Sequence, residues 1–189
     1  MTPTSEDFRI DADNGLAHGA LWLRSPHCDG RPPGMAIELL VIHAISLPPG
    51  QYGGGDVTAL FLGTLDCTER ADYAELKNLR VSTHFFVRRD GQVVQFVSLS
   101  KRAWHAGVSR FGEREHCNDF SVGIELEGSD QDPFAPAQYA TLVALTGALR
   151  AACPGLLAER IVGHSEIAPG RKSDPGPRFE WRRYHKLIE

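Results

Sequence analysis

The sequence predicts a single α/β (α+β) domain: one mixed β-sheet flanked by helices. Three observations carry this. Short apolar runs alternate with amphipathic stretches, in the order strand, helices, hairpin, strand, helix, strand, helix. An Asp-Gly pair separates two runs rich in β-formers, the strongest short-range hairpin signal a sequence offers. The 189 residues, 42% of them hydrophobic, suit one domain with its own core, and no repeat, low-complexity tract or linker divides them. The expected domain is 1–189, with 1–24 as an N-terminal extension packed on it.

The elements follow in order. "SPHCDGRPPG" (25–34) is rich in turn formers and leads into "MAIELLVIH". Ile37–Ile42 is apolar at nearly every position, as in a strand buried on both faces, and His43 is expected at its C-terminal end. "SLPPGQYGGG" (46–55) reads as a loop; its glycines and its place just after His43 make Ser46–Asp56 an expected movable rim. "DVTALFLGTL" (56–65) and "RADYAELKNL" (70–79) read as helical. "STHFFVRRDGQVVQFV" (82–97) reads as a hairpin turning at Asp90-Gly91. "FSVGIELEG" (120–128) reads as a strand with Val122, Ile124 and Leu126 on one face and Glu125 and Glu127 on the other. "APAQYATLVALTGALRAAC" (135–153) has helical periodicity and is stopped by Pro154-Gly155. "RIVGH" reads as a short strand ending in His164. "RFEWRRYHKLI" (178–188) is an expected terminal helix whose Phe179, Trp181 and Tyr184 pack inward.

Composition excludes several classes. Net charge is −4 and no basic tract stands out, so nucleic acid is not an expected partner. The first twenty residues are acidic and lack an apolar h-region, and no run approaches a membrane span of roughly 18 apolar residues. A cytoplasmic, monomeric protein is expected, with no membrane partner. The four cysteines, Cys28, Cys67, Cys117 and Cys153, are widely spaced and read as free thiols.

The chemistry concentrates in "GHSEIAPGRKSDPGP" (163–177). Two apolar strands each end in a histidine, His43 and His164. If the strands run parallel and adjacent, both imidazoles enter one crevice beyond the carboxyl ends. Asp174 follows ten residues after His164. Two His and a carboxylate form a common zinc set that leaves a fourth position open. Spacing leaves His84, His105 and His116 as rival ligands. With Lys172-Ser173-Asp174 extended, Lys172 and Asp174 face the same side about 6.6 Å apart. The ammonium can then steady an oxyanion. Pro169, Gly170, Pro175, Gly176 and Pro177 stiffen or turn the segment that carries them. Glu125 or Glu127 can serve as the proton shuttle, and strand alternation does not choose between them.

The blocks "VIHAISLPPGQYGGG", "RVSTHFFVRRDGQVVQFV", "KRAWHAGVSRFGE", "CNDFSVGIELEG" and "GHSEIAPGRKSDPGP", together spanning nearly the whole chain, resemble the zinc-dependent N-acetylmuramoyl-L-alanine amidases. Among these the resemblance is closest to the cytosolic AmpD type, which cleaves 1,6-anhydro-N-acetylmuramyl peptides in cell-wall recycling. The resemblance implies the peptidoglycan-recognition/amidase-like fold and Zn²⁺ held by His43, His164 and Asp174. It implies Glu125, the first of the pair in "GIELEG", as the catalytic glutamate, and Lys172 as the residue that steadies the tetrahedral intermediate. Trp104, in "RAWHAG", offers a platform for the anhydro-sugar. The chain departs from the type at Ala44, where Asn is common, and at His116, where an arginine is expected. His116, Arg80 and Arg171 remain candidates for contact with the substrate. The alternatives are a non-catalytic peptidoglycan-recognition module and a lytic amidase acting on polymeric wall.

Overall fold

The computed structural model describes residues 8–189. Six strands form the central sheet: β1 (Leu21–Trp22), β2 (Leu39–Ile45), β3 (Phe85–Val87), β4 (Val93–Gln95), β5 (Ser121–Glu127) and β6 (Ile161–Gly163). Their spatial order is β6-β2-β5-β3-β4-β1. The strands β6, β2, β5 and β3 run parallel. β4 is antiparallel to β3, and β1 is parallel to β4. The predicted single mixed sheet is therefore present. Its helices are α1 (Asp56–Leu62), α2 (Pro136–Ala152), α3 (His164–Ile167) and α4 (Trp181–Ile188).

Alternation along the two central strands sorts their side chains onto two faces. Leu40 and Ile42 of β2, with Val122, Ile124 and Leu126 of β5, pack against Leu142, Leu145 and Leu149 of α2 and Tyr184 of α4. Leu39 and Val41 point the other way and join Ala106, Cys117, Phe120, Val162 and Ile167. On that second face α1 adds Val57, Leu60 and Phe61 over Phe86, Val94 and Phe96. Each of these large side chains contributes about 1.5–3 kcal/mol on burial, which is why β2 and β5 are apolar on nearly every inward position. Phe8 and Ala17, near the start of the described residues, also join the α2 core.

Polar contacts set the helices on the sheet. Pro136 opens α2, and Gln138 Oε1 accepts from the Ala135 N–H at 2.9 Å, the half of a capping box that needs no side chain at the cap position. The Gln138 amide donates in turn to the carbonyls of Val87 and Glu127. Thr146 and the Tyr184 hydroxyl, 2.6 Å apart and buried, tie α2 to α4.

The structure corrects several boundaries. His43 lies inside β2, which runs on to Ile45 because Ala44 and Ile45 still pair with Leu126 and Glu127. His164 is the first residue of α3 and no longer part of the strand. Residues 70–79 yield only a 3₁₀ segment at Ala71–Leu76; Tyr73 alone is buried there, so no apolar stripe rewards a longer helix. Strand pairing in the hairpin is confined to Phe85–Val87 and Val93–Gln95. Three small ribbons had no sequence signal: Arg9–Ile10 with Ala17–His18, Cys28–Gly30 with Lys101–Ala103, and Arg110–Phe111 with Arg114–Glu115. All four cysteines are free.

Candidate metal centre

The parallel strands deliver their chemistry at one edge. His43 stands directly opposite Glu125 in the β2–β5 ladder, so both point to the face away from α2. His164 follows immediately on β6, the other neighbour of β2. Asp174 returns on the segment after α3, where its carbonyl accepts from Ser165 N–H at 3.0 Å and closes the loop. Two contacts hold that loop. Ser173 Oγ donates to the Asp130 carboxylate. Gly176, at φ +82°, presses so closely on Asp130 that an added Cβ would lie 2.6 Å from the Asp130 Cα. Only glycine meets both the left-handed backbone and the missing space.

Three ligand atoms converge there. His43 Nδ1 and His164 Nδ1 are 2.9 Å apart, and each is 3.1 Å from Asp174 Oδ2. Two ligands held by one zinc at about 2.0–2.2 Å stand at most about 4.4 Å apart, so the three fit one ion. Protons point the same way. His164 Nε2 faces the Ala106 carbonyl at 3.1 Å; a carbonyl only accepts, so this nitrogen carries a hydrogen and Nδ1 is the ring atom turned to the cluster. Burial lowers the His43 imidazole to about 4, leaving it neutral at pH 7. Burial would raise the Asp174 carboxyl, but the bonds to His164 and His43 outweigh it and hold the group below the usual carboxylate range. Lone pairs this close repel unless a proton or a cation lies among them. The residues present match a divalent ion, with both histidines and the carboxylate in a common zinc ligand set.

The rival histidines have other partners. His84 Nδ1 accepts from Gly123 N–H at 3.1 Å, and its Nε2 lies 3.0 Å from Arg31 Nη2 and 3.2 Å from the Lys101 carbonyl. His105 contacts His43 and Ser121 through its two nitrogens. Burial pushes both imidazoles well below their usual range, so both are neutral. His116 is exposed and adopts φ 58°, an uncommon left-handed conformation for a non-glycine residue.

Tertiary contacts separate the two glutamates. Glu127 is buried, and its carboxylate accepts from Gly53 N–H at 2.6 Å and Arg89 N–H at 3.0 Å. It therefore anchors the 46–56 loop and the hairpin turn. Further tethers on that loop run from Tyr52 to Asp132 at 2.5 Å and from Arg88 to the Gly54 carbonyl. Glu125 Oε2, in contrast, is shielded from solvent and has no hydrogen-bond partner among the described residues. Burial, reinforced by Asp174, pushes the Glu125 carboxyl well above its usual range against the pull of Lys172. Lys172 itself is exposed.

The remaining expected contact residues are dispersed. Trp104 is half-buried and stacks on His27, their rings 6.2 Å apart and 15° from parallel. Arg171 donates to the carbonyls of Ala106 and Val108 at 2.6 and 2.7 Å, sharing the Ala106 oxygen with His164. Arg171, His116 and Asn118 line a recess of about 710 Å³. Arg80 is exposed, and among the described residues its guanidinium hydrogen-bonds the Leu79 carbonyl at 3.4 Å. Sequence reasoning missed the Ala106 carbonyl and Asp130. A backbone acceptor has no residue signature, and Asp130 is one acidic residue in the run "GSDQD".

Comparison with known proteins adds the last observation. A family model described as N-acetylmuramoyl-L-alanine amidase matches residues 33–177. The 1,6-anhydro-N-acetylmuramyl-L-alanine amidase AmpD of Enterobacter cloacae is 51% identical over 176 residues, which cover 93% of this chain and 94% of that one. A crystal structure of a selenomethionine AmpD derivative superposes with a TM-score of 0.91 at 49% identity, covering 95% of this chain and 99% of the other. AmpDh3 from Pseudomonas aeruginosa, in complex with an anhydromuramic pentapeptide, gives a TM-score of 0.63 at 27% identity, over 82% of this chain and 61% of that one.

Proposed function

This chain belongs to the N-acetylmuramoyl-L-alanine amidase family and carries a His-His-Asp metal site; on that premise we propose that it hydrolyses 1,6-anhydro-N-acetylmuramyl peptides. The bond cut is the amide between the lactyl group of the anhydro-sugar and L-alanine. The observation that supports this most directly is the pairing of three converging ligand atoms with an unpartnered, shielded Glu125 oxygen on the adjacent strand.

His43, His164 and Asp174 would hold the ion, which we infer to be zinc. Zinc bound there would supply Lewis acidity, to polarise the scissile carbonyl and acidify water. Glu125 takes a proton from the attacking water and returns it to the alanine nitrogen as the amide breaks. Its high proton affinity, caused by burial, suits the second half of that task. The Lys172 ammonium offsets the negative charge that builds on the carbonyl oxygen. Trp104 offers an aromatic face to the sugar. The recess beside Arg171 and His116 receives the stem peptide, where a guanidinium can pair with its carboxylates. Arg80 remains a second guanidinium for the same carboxylates. A role in cytoplasmic cell-wall recycling follows from this substrate. Among the described residues no helix is long and apolar enough to cross a membrane.

The test compares two substrates. The zinc-loaded protein is incubated with soluble anhydro-muropeptides and, separately, with intact sacculi, and products are read by mass spectrometry. Release of free stem peptide from the soluble substrate is expected. Cleavage of sacculi alone would make it a lytic amidase; zinc binding with no cleavage of either would make it a recognition module.

A further inference from the structure

His105 has a place in the centre that ligation does not account for. Its Nδ1 lies 2.9 Å from His43 Nε2, the nitrogen turned away from the ligand cluster. Its Nε2 lies 3.0 Å from Ser121 Oγ. The backbone beneath it is pinned, because the N–H groups of His105 and Ala106 both donate to Asn118 Oδ1 at 3.1 and 2.8 Å. The strand beside it makes room. A Cβ on Gly123 would lie 2.5 Å from the His105 Cγ, so the ring occupies space that any other residue would fill.

Two proton arrangements satisfy this chain. In one, His43 Nε2–H donates to His105 Nδ1 and His105 Nε2–H donates to Ser121 Oγ, so His43 Nδ1 presents a lone pair. In the other, the serine hydroxyl donates to His105, and His105 Nδ1–H donates to His43 Nε2. That second arrangement puts a proton on His43 Nδ1, inside the cluster, where it blocks coordination. His164 has no such choice, because its rear nitrogen faces a carbonyl.

We propose that His105, backed by Ser121, is a positioning residue that receives the Nε2 proton of His43 and keeps His43 Nδ1 bare and aimed at the ion. The proposal rests on the reading of His43 as a ligand. Ligating histidines generally hand their second ring hydrogen to a fixed acceptor, and losing that acceptor typically weakens metal binding 10–100-fold. Here the acceptor is itself a histidine, oriented by Asn118 on its backbone, Gly123 beside its ring and Ser121 behind it.

The direct test uses the intact chain, ¹⁵N-labelled and zinc-loaded, with long-range ¹H–¹⁵N correlation of the imidazole rings. Hydrogen on Nε2 of both His43 and His105 is expected. Hydrogen on His105 Nδ1 would overturn the proposal. A second measurement compares zinc affinity in competition with a chromophoric chelator. His105→Leu should bind zinc about 10–100-fold more weakly. His105→Asn, whose Oδ1 falls where Nδ1 stood, should recover most of that loss; a merely space-filling ring would not be rescued this way. Affinity unchanged in His105→Leu, or equally poor in His105→Asn, would also overturn it. A wild-type chain that takes up no zinc would instead remove the metal reading and this proposal together.

Discussion

Glu125 and Glu127 show how residue-scale chemistry depends on partners. They share one face of one strand and differ by two positions, yet one carboxylate is fully engaged by backbone N–H groups and the other has a bare oxygen. Opposite outcomes are expected from the same substitution. Glu125→Gln should lower kcat by about 10²–10⁴, the usual share of a general acid–base group, with zinc content unchanged by elemental analysis. Glu127→Gln should leave the chemistry but weaken the fold, because an amide offers only one oxygen where two N–H groups now donate. Hydrogen bonds to charged groups contribute about 1.5–3 kcal/mol, so a loss of about that size is expected in urea unfolding. Lys172→Ala should depress kcat more than it raises KM, because its charge matters only once the oxyanion forms; a rise confined to KM would make it a binding residue.

At the scale of elements, the α3–α4 connection matters most. Its residues are exposed at Lys172 and Ser173 but anchored at Asp174, Pro175 and Gly176. Replacing Gly176 by Ala meets the φ of +82° and the 2.6 Å approach to Asp130 at once. Destabilisation above about 1 kcal/mol is expected, with zinc affinity falling because Asp174 shifts with the loop. Stability lost with zinc affinity intact would mean that Asp174 is held independently of the turn. The 46–56 loop is tethered at Tyr52, Gly53 and Gly54, so slow hydrogen exchange is expected at Gly53, whose N–H is bound by Glu127. Exchange at Gly53 as fast as in an unfolded chain would show the whole loop opening as one piece.

Across the whole molecule, three neutral histidines, His43, His84 and His105, lie buried in one region. The imidazole of His43 is lowered from 6.5 to about 4, and burial also holds those of His84 and His105 well below their usual range. Between those limits the unfolded chain takes up protons that the folded chain refuses. Stability of the metal-free protein is therefore full above about pH 6.5 and falls as the solution is acidified toward pH 4. Each group contributes up to about 1.4 kcal/mol per pH unit. The urea midpoint measured from pH 7.5 to pH 4.5 checks this; a flat profile would mean that the histidines gain protons without cost.

Periodicity and turn chemistry alone determined the mixed sheet, the order of its main elements and the opposed faces of β5. These are local properties, set by side-chain alternation and by residues that stop or turn the chain. Motif resemblance marked His43, His164, Asp174 and Glu125 as a set. Tertiary structure alone decided that β6 lies beside β2, that His43 faces Glu125 across the ladder, and which glutamate is left without a partner. It also placed His105 against the rear nitrogen of His43, and His84 against the backbone of Gly123 and Lys101. Contacts between residues far apart in the chain leave no spacing to read, and a hydrogen bond to a backbone carbonyl leaves no residue type to recognise.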